Sequence, residues 1–440
     1  MLLSIAITNY RSFSEEAVLD LQRRGFKTLR PRGGETWRDN TWRRAAVFGA
    51  NASGKSNILR PLSLLRDAVF RSLTGERFVA ALRDPHRLSL DRETSFEVEY
   101  VADDVHYRWL LVLDNAGVVK EKLEAVERVR FIKLFERTRN DIEFGQQSGL
   151  PQAAKGNIEQ FMRNWSLVFS AWDTVKSPGK HIAAVDWWRF FLPLIDGEGD
   201  QVQRHRWLID LAQENVHWLT ALTSILRVAD VGVINVDVRK EDAPPAVEQV
   251  LYSMSQKAAN DTQLKVDAEA IEQYLRYLEF EHESDGASFS LHEEDESQGT
   301  KTWMDVVVPA LFALTLGGVL TVDEIGLSLH PLLVRQLVSY FDDPELNPSG
   351  AQLLFTSHDT SLIGKQPDEV LHRGEVWFVD KQSSRSELIA LDEFPVRSAH
   401  NIEKRYLQGS YGAVPIPDNA ELVRTLDELR RSYTDLSRTR

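Results

Sequence analysis

The run Ala45-Ala-Val-Phe48 leading into Gly49-Ala-Asn-Ala-Ser-Gly-Lys-Ser56 decides how this chain is read. The eight-residue part fits the pattern G-x-x-x-x-G-K-[ST], and the apolar run before it predicts a short buried strand. A strand ending at Phe48 delivers the chain into a loop whose backbone N–H groups converge on a helix N-terminus near Lys55. Such a nest wraps polyphosphate, because the N–H groups and the helix dipole both favour negative charge. Gly49 and Gly54 allow backbone geometry that a side chain would block. Asn51, Ala52, Ser53 and Asn57 complete the cradle. Lys55 is expected to reach the β- and γ-phosphates, and the Ser56 hydroxyl to ligate Mg²⁺. Without ligand, Lys55 should face solvent, so its loss should cost the fold little. The implied ligand is a nucleoside triphosphate, with ATP and GTP not distinguished.

A hydrolase of this kind also needs a metal carboxylate and a group that positions water. Val319-Leu-Thr-Val-Asp323-Glu324 has both in one place. An apolar strand ending in an acidic pair sets Asp323 at the metal and Glu324 beside the γ-phosphate as general base. Gln352-Leu-Leu-Phe-Thr-Ser357 predicts a neighbouring strand, followed by His358, which is placed to sense the γ-phosphate. Glu296-Ser297-Gln298-Gly299-Thr300 precedes an apolar-faced helix from about Thr302 to Leu316, in which Pro309 should introduce a kink. Ser297 and Gly299 then form a second anion-binding turn. One chain needs one cradle, so the second is best explained by a partner's nucleotide.

This order of elements resembles the ABC-type ATPases, in their RecF-like and SMC-like branch. Asn9-Tyr-Arg-Ser-Phe13 and Ile325-Gly-Leu-Ser-Leu-His-Pro331 are similar to motifs of that branch. Glu403-Lys-Arg-Tyr-Leu-Gln-Gly-Ser-Tyr-Gly-Ala-Val-Pro415 resembles the tail of bacterial stand-alone AAA-type ATPases, many of them linked to abortive infection and phage defence. The resemblance implies an α/β ABC ATPase head, a P-loop NTPase fold, assembled from both chain ends around a mainly helical insertion. It also implies a head-to-tail homodimer or higher homo-oligomer, in which ATP and Mg²⁺ on Lys55, Ser56 and Asp323 are closed over by Ser297 and Gly299 of the other copy. The expected parts are residues 1–148 and 286–440 for the head and 149–285 for the insertion. Gln146 and Gln147 are the candidates for a glutamine loop. Between Lys55 and Ser297 there is no room for a long SMC-type coiled coil and no sustained heptad run. Fewer than 90 residues follow His358, too short for a fused nuclease domain.

Composition bounds the rest. The 440 residues include no cysteine, which excludes disulfides, thiolate metal sites and thiol nucleophiles. A net charge of −14 argues against coating nucleic acid with the whole surface. Basic residues do crowd between Arg23 and Arg44, with Trp37 and Trp42 among them, which leaves a local nucleic-acid contact open beside a plain solvated loop. The charge-free run from Val306 to Val322 reads as a buried helix, a turn and a strand, with no membrane segment and a cytoplasmic location. Alternating runs such as Ser95-Phe-Glu-Val-Glu-Tyr-Val predict an antiparallel meander. Strand is also expected over Val231–Val238 and Val376–Asp380, and helix over Asp267–Leu278. The leading expectation is an ATP-driven conformational switch, a sensor or regulator in phage defence with a separately encoded effector. A RecF-like DNA-repair ATPase and a scaffold held together by ATP without turnover stay open beside it.

Overall fold

The structure, a computed structural model, describes the whole chain except residues 192–193, 197–200, 230–231, 242–275, 285, 328, 396–400, 415–418 and 439–440. Among the described residues the strands are β1 Leu2–Thr8, β2 Ala17–Asp20, β3 Arg44–Phe48, β4 Thr94–Ala102, β5 Val105–Asp114, β6 Gly117–Glu127, β7 Arg130–Thr138, β8 Asp141–Phe144, β9 Val233–Lys240, β10 Arg276–Ser284, β11 Ala287–His292, β12 Val319–Val322, β13 Gln352–Thr356, β14 Val376–Gln382 and β15 Arg385–Ala390. The helices that matter below are α1 Ser56–Arg71, α2 Gln201–Glu214, α3 Val216–Val228, α4 Gln298–Leu316, α5 Pro331–Tyr340 and α6 Asn419–Arg438.

The central sheet runs β12-β13-β3-β14-β15. Its first four strands are parallel, and every residue of β3, β12 and β13 is buried. That explains why these segments read as unbroken apolar runs: a parallel strand is covered on both faces. The two faces feed different cores. Ala45 and Val47 point to one that holds Ile58, Leu62 and Leu65 of α1, while Ala46 and Phe48 point to the other, with Trp303 and Val307 of α4 and Val334 of α5. Phe191 and Ile195 bridge to Val319 and Val322, covering the outer edge of β12. The sheet is thus built from residues 44–48 and 319–390, from the two sides of the chain's long middle stretch.

The seven-stranded antiparallel sheet, β2-β1-β4-β5-β6-β7-β8, is the meander expected from the sequence. It is joined to the central sheet through buried Gln352, whose side chain accepts from the Leu2 N–H at 2.6 Å and donates to the carbonyls of Leu2 and Trp42. A buried bidentate pair between Arg44 and Glu375, at 2.9 and 2.8 Å, ties β3 to the start of β14. Removing one partner of such a pair costs about 3–5 kcal/mol.

Three expectations shift. Helix α4 begins at Gln298, four residues earlier than expected, because Ser297 caps it and draws Gly299 into the first turn. It is one continuous helix through Pro309. Arg276, Tyr277 and Leu278 lie in strand β10 and not in a helix, since pairing with β9 buries Leu278; residues 267–275 lie outside the described part. The strand expected from Val231 to Val238 is described from Val233 to Lys240; Val231 lies outside the described residues. Among the described residues, no helix is long and apolar enough to cross a membrane. The run 306–322 is the end of α4, a left-handed turn at Gly317, and β12.

Candidate functional site

Parallel strands end on the same side, so β3, β13 and β12 deliver Gly49, Ser357 and Asp323 to one edge. Ligands in open α/β sheets bind at this carboxyl edge. A cavity of about 320 Å³ opens there, lined by Ser12, Asn51, Ala52, Gly54, Lys55, Ser56, Asn57, Glu324 and Lys381.

The loop is tightly built. A Cβ on Gly54, whose φ is +108°, would lie 2.3 Å from Ser12 Oγ, and one on Gly49 would lie 2.6 Å from the Val379 carbonyl. Ala52 holds a left-handed φ of 59° without being glycine; strain of this kind gathers at binding loops. The Ser53 hydroxyl is buried without a hydrogen-bond partner. Its carbonyl accepts from the Ser386 hydroxyl, and Lys381 Nζ donates to the Ala52 carbonyl at 3.0 Å. No side chain caps α1, whose N-cap residue is Lys55. Its N-terminus is therefore left for a ligand to complete.

Lys55 departs from expectation. It is buried, and its ammonium donates to the carbonyls of Gly49 at 3.0 Å and Ala50 at 3.1 Å and to His358 Nε2 at 3.0 Å. An ammonium has three donors, so all are used within the fold. The carbonyls curl back over the lysine because the loop is too tight to turn them outward. Burial lowers the Lys55 pKa, opposed by the nearby charges of Glu324 and Asp323. Because lysine only donates, His358 Nε2 must accept, so the ring is neutral with its proton on Nδ1. Burial first, and Lys55 second, lower the His358 pKa in agreement.

The acidic pair is set by β13. Thr356 Oγ1 donates to Asp323 Oδ1 at 2.5 Å and accepts from the Glu324 N–H at 2.7 Å. Glu324 sits at φ 55°, a left-handed kink that turns its side chain off the strand line, with Oε1 3.7 Å from His358 Nε2. Lys55, Glu324 and His358 thus meet at one point, with Asp323 and Ser56 beside it.

Sequence reasoning missed four contributors. Thr356 follows from the sheet: the parallel register pairs Val322 with Phe355, which brings the next residues, Asp323 and Thr356, face to face. Lys381, near the end of β14, had no motif to mark it, and Ser12 stood inside the Asn9–Phe13 motif without a role in the site. Arg11 bonds Asp84 at 2.9 Å and Asn57 Oδ1 at 3.3 Å, while Asn57 Nδ2 donates to Ser12 Oγ at 3.0 Å. The Asn9–Phe13 motif is therefore a brace for the first turn of α1, with Tyr10 and Phe13 in the core. The Glu403–Pro415 motif is a second brace. Tyr406 and Tyr411 stack on Phe378 at 5.1 and 5.2 Å, Asp380 accepts from the Ala413 N–H, and Glu403 accepts from Thr360, just past His358.

Ser297 and Gly299 do not line the cavity. Ser297 is exposed, and its hydroxyl oxygen accepts from the Thr300 N–H at 3.0 Å. Glu296 is buried and hydrogen-bonded to His282, which explains an acid at that place: it anchors the turn to β10. Gln146 and Gln147 do not line the cavity either. Between Arg23 and Arg44 much of the charge is spent internally. Arg23 lies over Trp42, Arg24 faces Asp392, Arg30 donates to the Val126 carbonyl, and Arg44 is in the buried pair.

The residues fit a magnesium nucleotide: a cradle that only glycine allows, an uncapped helix, two lysines, Ser56 on the cavity wall, and Asp323 at the same edge of the sheet. Among the described residues no cluster of three or more metal-ligating side chains exists, as suits Mg²⁺, which usually binds one or two carboxylates plus phosphates and water.

Residues 44–179 and 219–364 match the family described as AAA domain, putative AbiEii toxin, Type IV TA system. No protein of curated function matches the chain. Among solved structures, an SMC head bound to the C-winged helix domain of ScpA aligns at 12% identity and a TM-score of 0.40, covering 92% of this chain and 99% of that one. The SMC head domain from Thermotoga maritima aligns at 11% identity and a TM-score of 0.39, over 88% and 98%. A Smc head with an extended coiled coil, bound to the C-terminal domain of ScpA and derived from Pyrococcus furiosus, gives 11% and 0.35, over 89% and 97%.

Proposed function

We propose a function from one premise: the chain belongs to the AAA domain family described as putative AbiEii toxin, Type IV TA system. It is an ATP-hydrolysing conformational switch that regulates a separate effector in defence against phage. The observation that carries the ATPase part is the meeting of Lys55, His358 and Glu324 over an uncapped helix N-terminus. The defence role rests on the family description and on the Glu403–Pro415 tail.

Two of the three Lys55 donors hold the loop in shape through Gly49 and Ala50. The third, now on His358, is the one that can turn to a γ-phosphate. His358, released from Lys55, can then carry its ring proton on Nε2 and donate it to the same phosphate. Lys381, which also lines the cavity, adds a second positive charge. Ser56 and Asp323 would hold Mg²⁺, which neutralises charge across the β- and γ-phosphates. Glu324, half-exposed at the mouth, takes the proton of the attacking water onto its carboxylate. Ser297 and Gly299 act on the nucleotide of a second copy in a head-to-tail dimer. The exposure of Ser297, and the absence of both residues from the cavity of their own protomer, support this arrangement.

The test has two arms. Purified protein should hydrolyse ATP in the presence of Mg²⁺, and Glu324→Gln should not. Cells carrying the gene with its native neighbours should resist phage, and Lys55→Ala should abolish that resistance. Hydrolysis without any resistance would leave the switch and remove the defence role.

A further inference from the structure

Helix α4 is already complete as a helix start. The Ser297 hydroxyl oxygen accepts from the Thr300 N–H, and Lys301 Nζ reaches back to the Glu294 carbonyl at 2.8 Å. The residue before the cap nevertheless carries a carboxylate into the interior. Glu296 is 8% exposed, and both of its oxygens are engaged. One accepts from His282 Nε2 on β10, and the other from the N–H of Ser297 at 3.2 Å. A carboxylate only accepts, so Nε2 of His282 carries a proton. The ring is itself fixed, stacked on Phe289 of β11 at 5.5 Å and 14°. A second acid ties down the start of the same turn, where Glu293 Oε2 accepts from the Leu278 N–H at 2.6 Å. Leu278 and Phe280 of β10 share a core with Trp303 and Met304 of α4. The turn that ends in Ser297 is thus tied to β10 at two points, and β10 is packed on the helix that the turn opens.

Stability does not call for an acid at this place. Burying a carboxylate costs free energy that an apolar residue there would not, and exchanging a buried ion pair for apolar residues is often neutral or stabilising. What the carboxylate adds over packing is direction, because it fixes the N–H of Ser297 relative to β10. We propose that Glu296 and His282 are positioning residues for ATP hydrolysis, which hold the Ser297 turn at the angle that meets the nucleotide of a second copy. This rests on the role of Ser297 and Gly299 across the dimer proposed above. Neither Glu296 nor His282 lines the cavity of its own protomer, so both act through Ser297 on closure and not on the uptake of ATP by their own cradle. The sheet of β9, β10 and β11 is then the part of the fold that aims this turn.

The test uses the full-length chain. The double variant His282→Phe, Glu296→Leu replaces the pair by apolar side chains, and the phenylalanine keeps a ring on Phe289. It should melt no lower than the wild type and bind ATP with unchanged affinity by calorimetry. Its kcat should fall by roughly 10-fold or more, since misplacing a reacting group by about 1 Å can cost 10²-fold. His282→Gln, which returns an N–H donor to the carboxylate, should stay within a few-fold of wild type. Mixed with excess Lys55→Ala subunits, the double variant should recover activity to the same extent as Ser297→Arg, because each lacks only the turn it lends to the other copy. A double variant as active as wild type, with Ser297→Arg inactive, would overturn the positioning role alone. ATP affinity that falls along with kcat, or a loss in His282→Gln equal to that in the double variant, would make the pair a structural anchor and overturn it as well. Full activity in Ser297→Arg would overturn the shared site, and this proposal with it.

Discussion

Helices α1 and α4 both present an N-terminus that reads as an anion site, but the two are finished differently. No side chain caps α1, while the walls around it hold two lysines, an orphan hydroxyl and glycines that a Cβ would displace. Helix α4 is capped by its own Ser297 and anchored by buried Glu296. An uncapped helix inside a cradle has a ligand as its missing part. A capped one at the surface is complete as structure, and has only its remaining N–H groups and its dipole to offer a neighbour. The difference separates an end built to take up an anion from one that is already complete as structure.

Lys55→Ala should have the largest effect. It removes the phosphate contact and strips the Gly49 and Ala50 carbonyls of their partner. ATP binding by calorimetry should be lost, and the melting temperature should fall by a few degrees, as about 1–3 kcal/mol of unsatisfied carbonyls implies. A variant that binds ATP as the wild type does would remove α1 as the site.

Next in size, Glu324→Gln should bind ATP normally and slow hydrolysis by roughly 10²-fold or more, the scale of a lost general base. A nucleotide-trapped, larger species should accumulate in light scattering. Turnover within a few-fold of wild type would take Glu324 out of that role.

Ser297→Arg tests the other half of the contrast. It should leave ATP binding intact and abolish hydrolysis, because the bulk and charge meet the partner's nucleotide. Mixing it with excess Lys55→Ala subunits should restore one whole site per heterodimer, recovering activity towards half of wild type. Full activity in Ser297→Arg alone would reduce that turn to a plain helix cap.

The smallest effect lies away from both helix ends. Burial lowers the His181 pKa from 6.5 to about 4, and its ring bonds the Tyr107 hydroxyl at 3.0 Å. A folded-state pKa below the unfolded one means that stability is whole above pH 6.5 and is lost as pH falls towards 4. The loss is at most about 3 kcal/mol. His181→Gln should flatten the fall of melting temperature across that window while ATP affinity at pH 7.5 stays put. A change in affinity would show the two regions coupled.

Lys55, Ser56, Asp323, Glu324 and His358 were legible in the sequence because each follows an apolar run that can only be a buried strand, or opens a helix after one. Period and position were enough to set them on one edge of a sheet. That the chain folds as α/β around a phosphate loop followed from the same runs. The tertiary structure decided what those side chains do before a ligand arrives. Lys55 is buried and saturated because the loop closes over it, which no local pattern encodes. Thr356 and Lys381 enter the site only because β13 lies beside β12 and β14 beside β3, and strand neighbours distant in sequence are set by packing. Residues Asn9–Phe13 and Glu403–Pro415 were visible as motifs but not as braces, since their partners, Asn57, Phe378 and Thr360, come within reach only after the sheet is assembled.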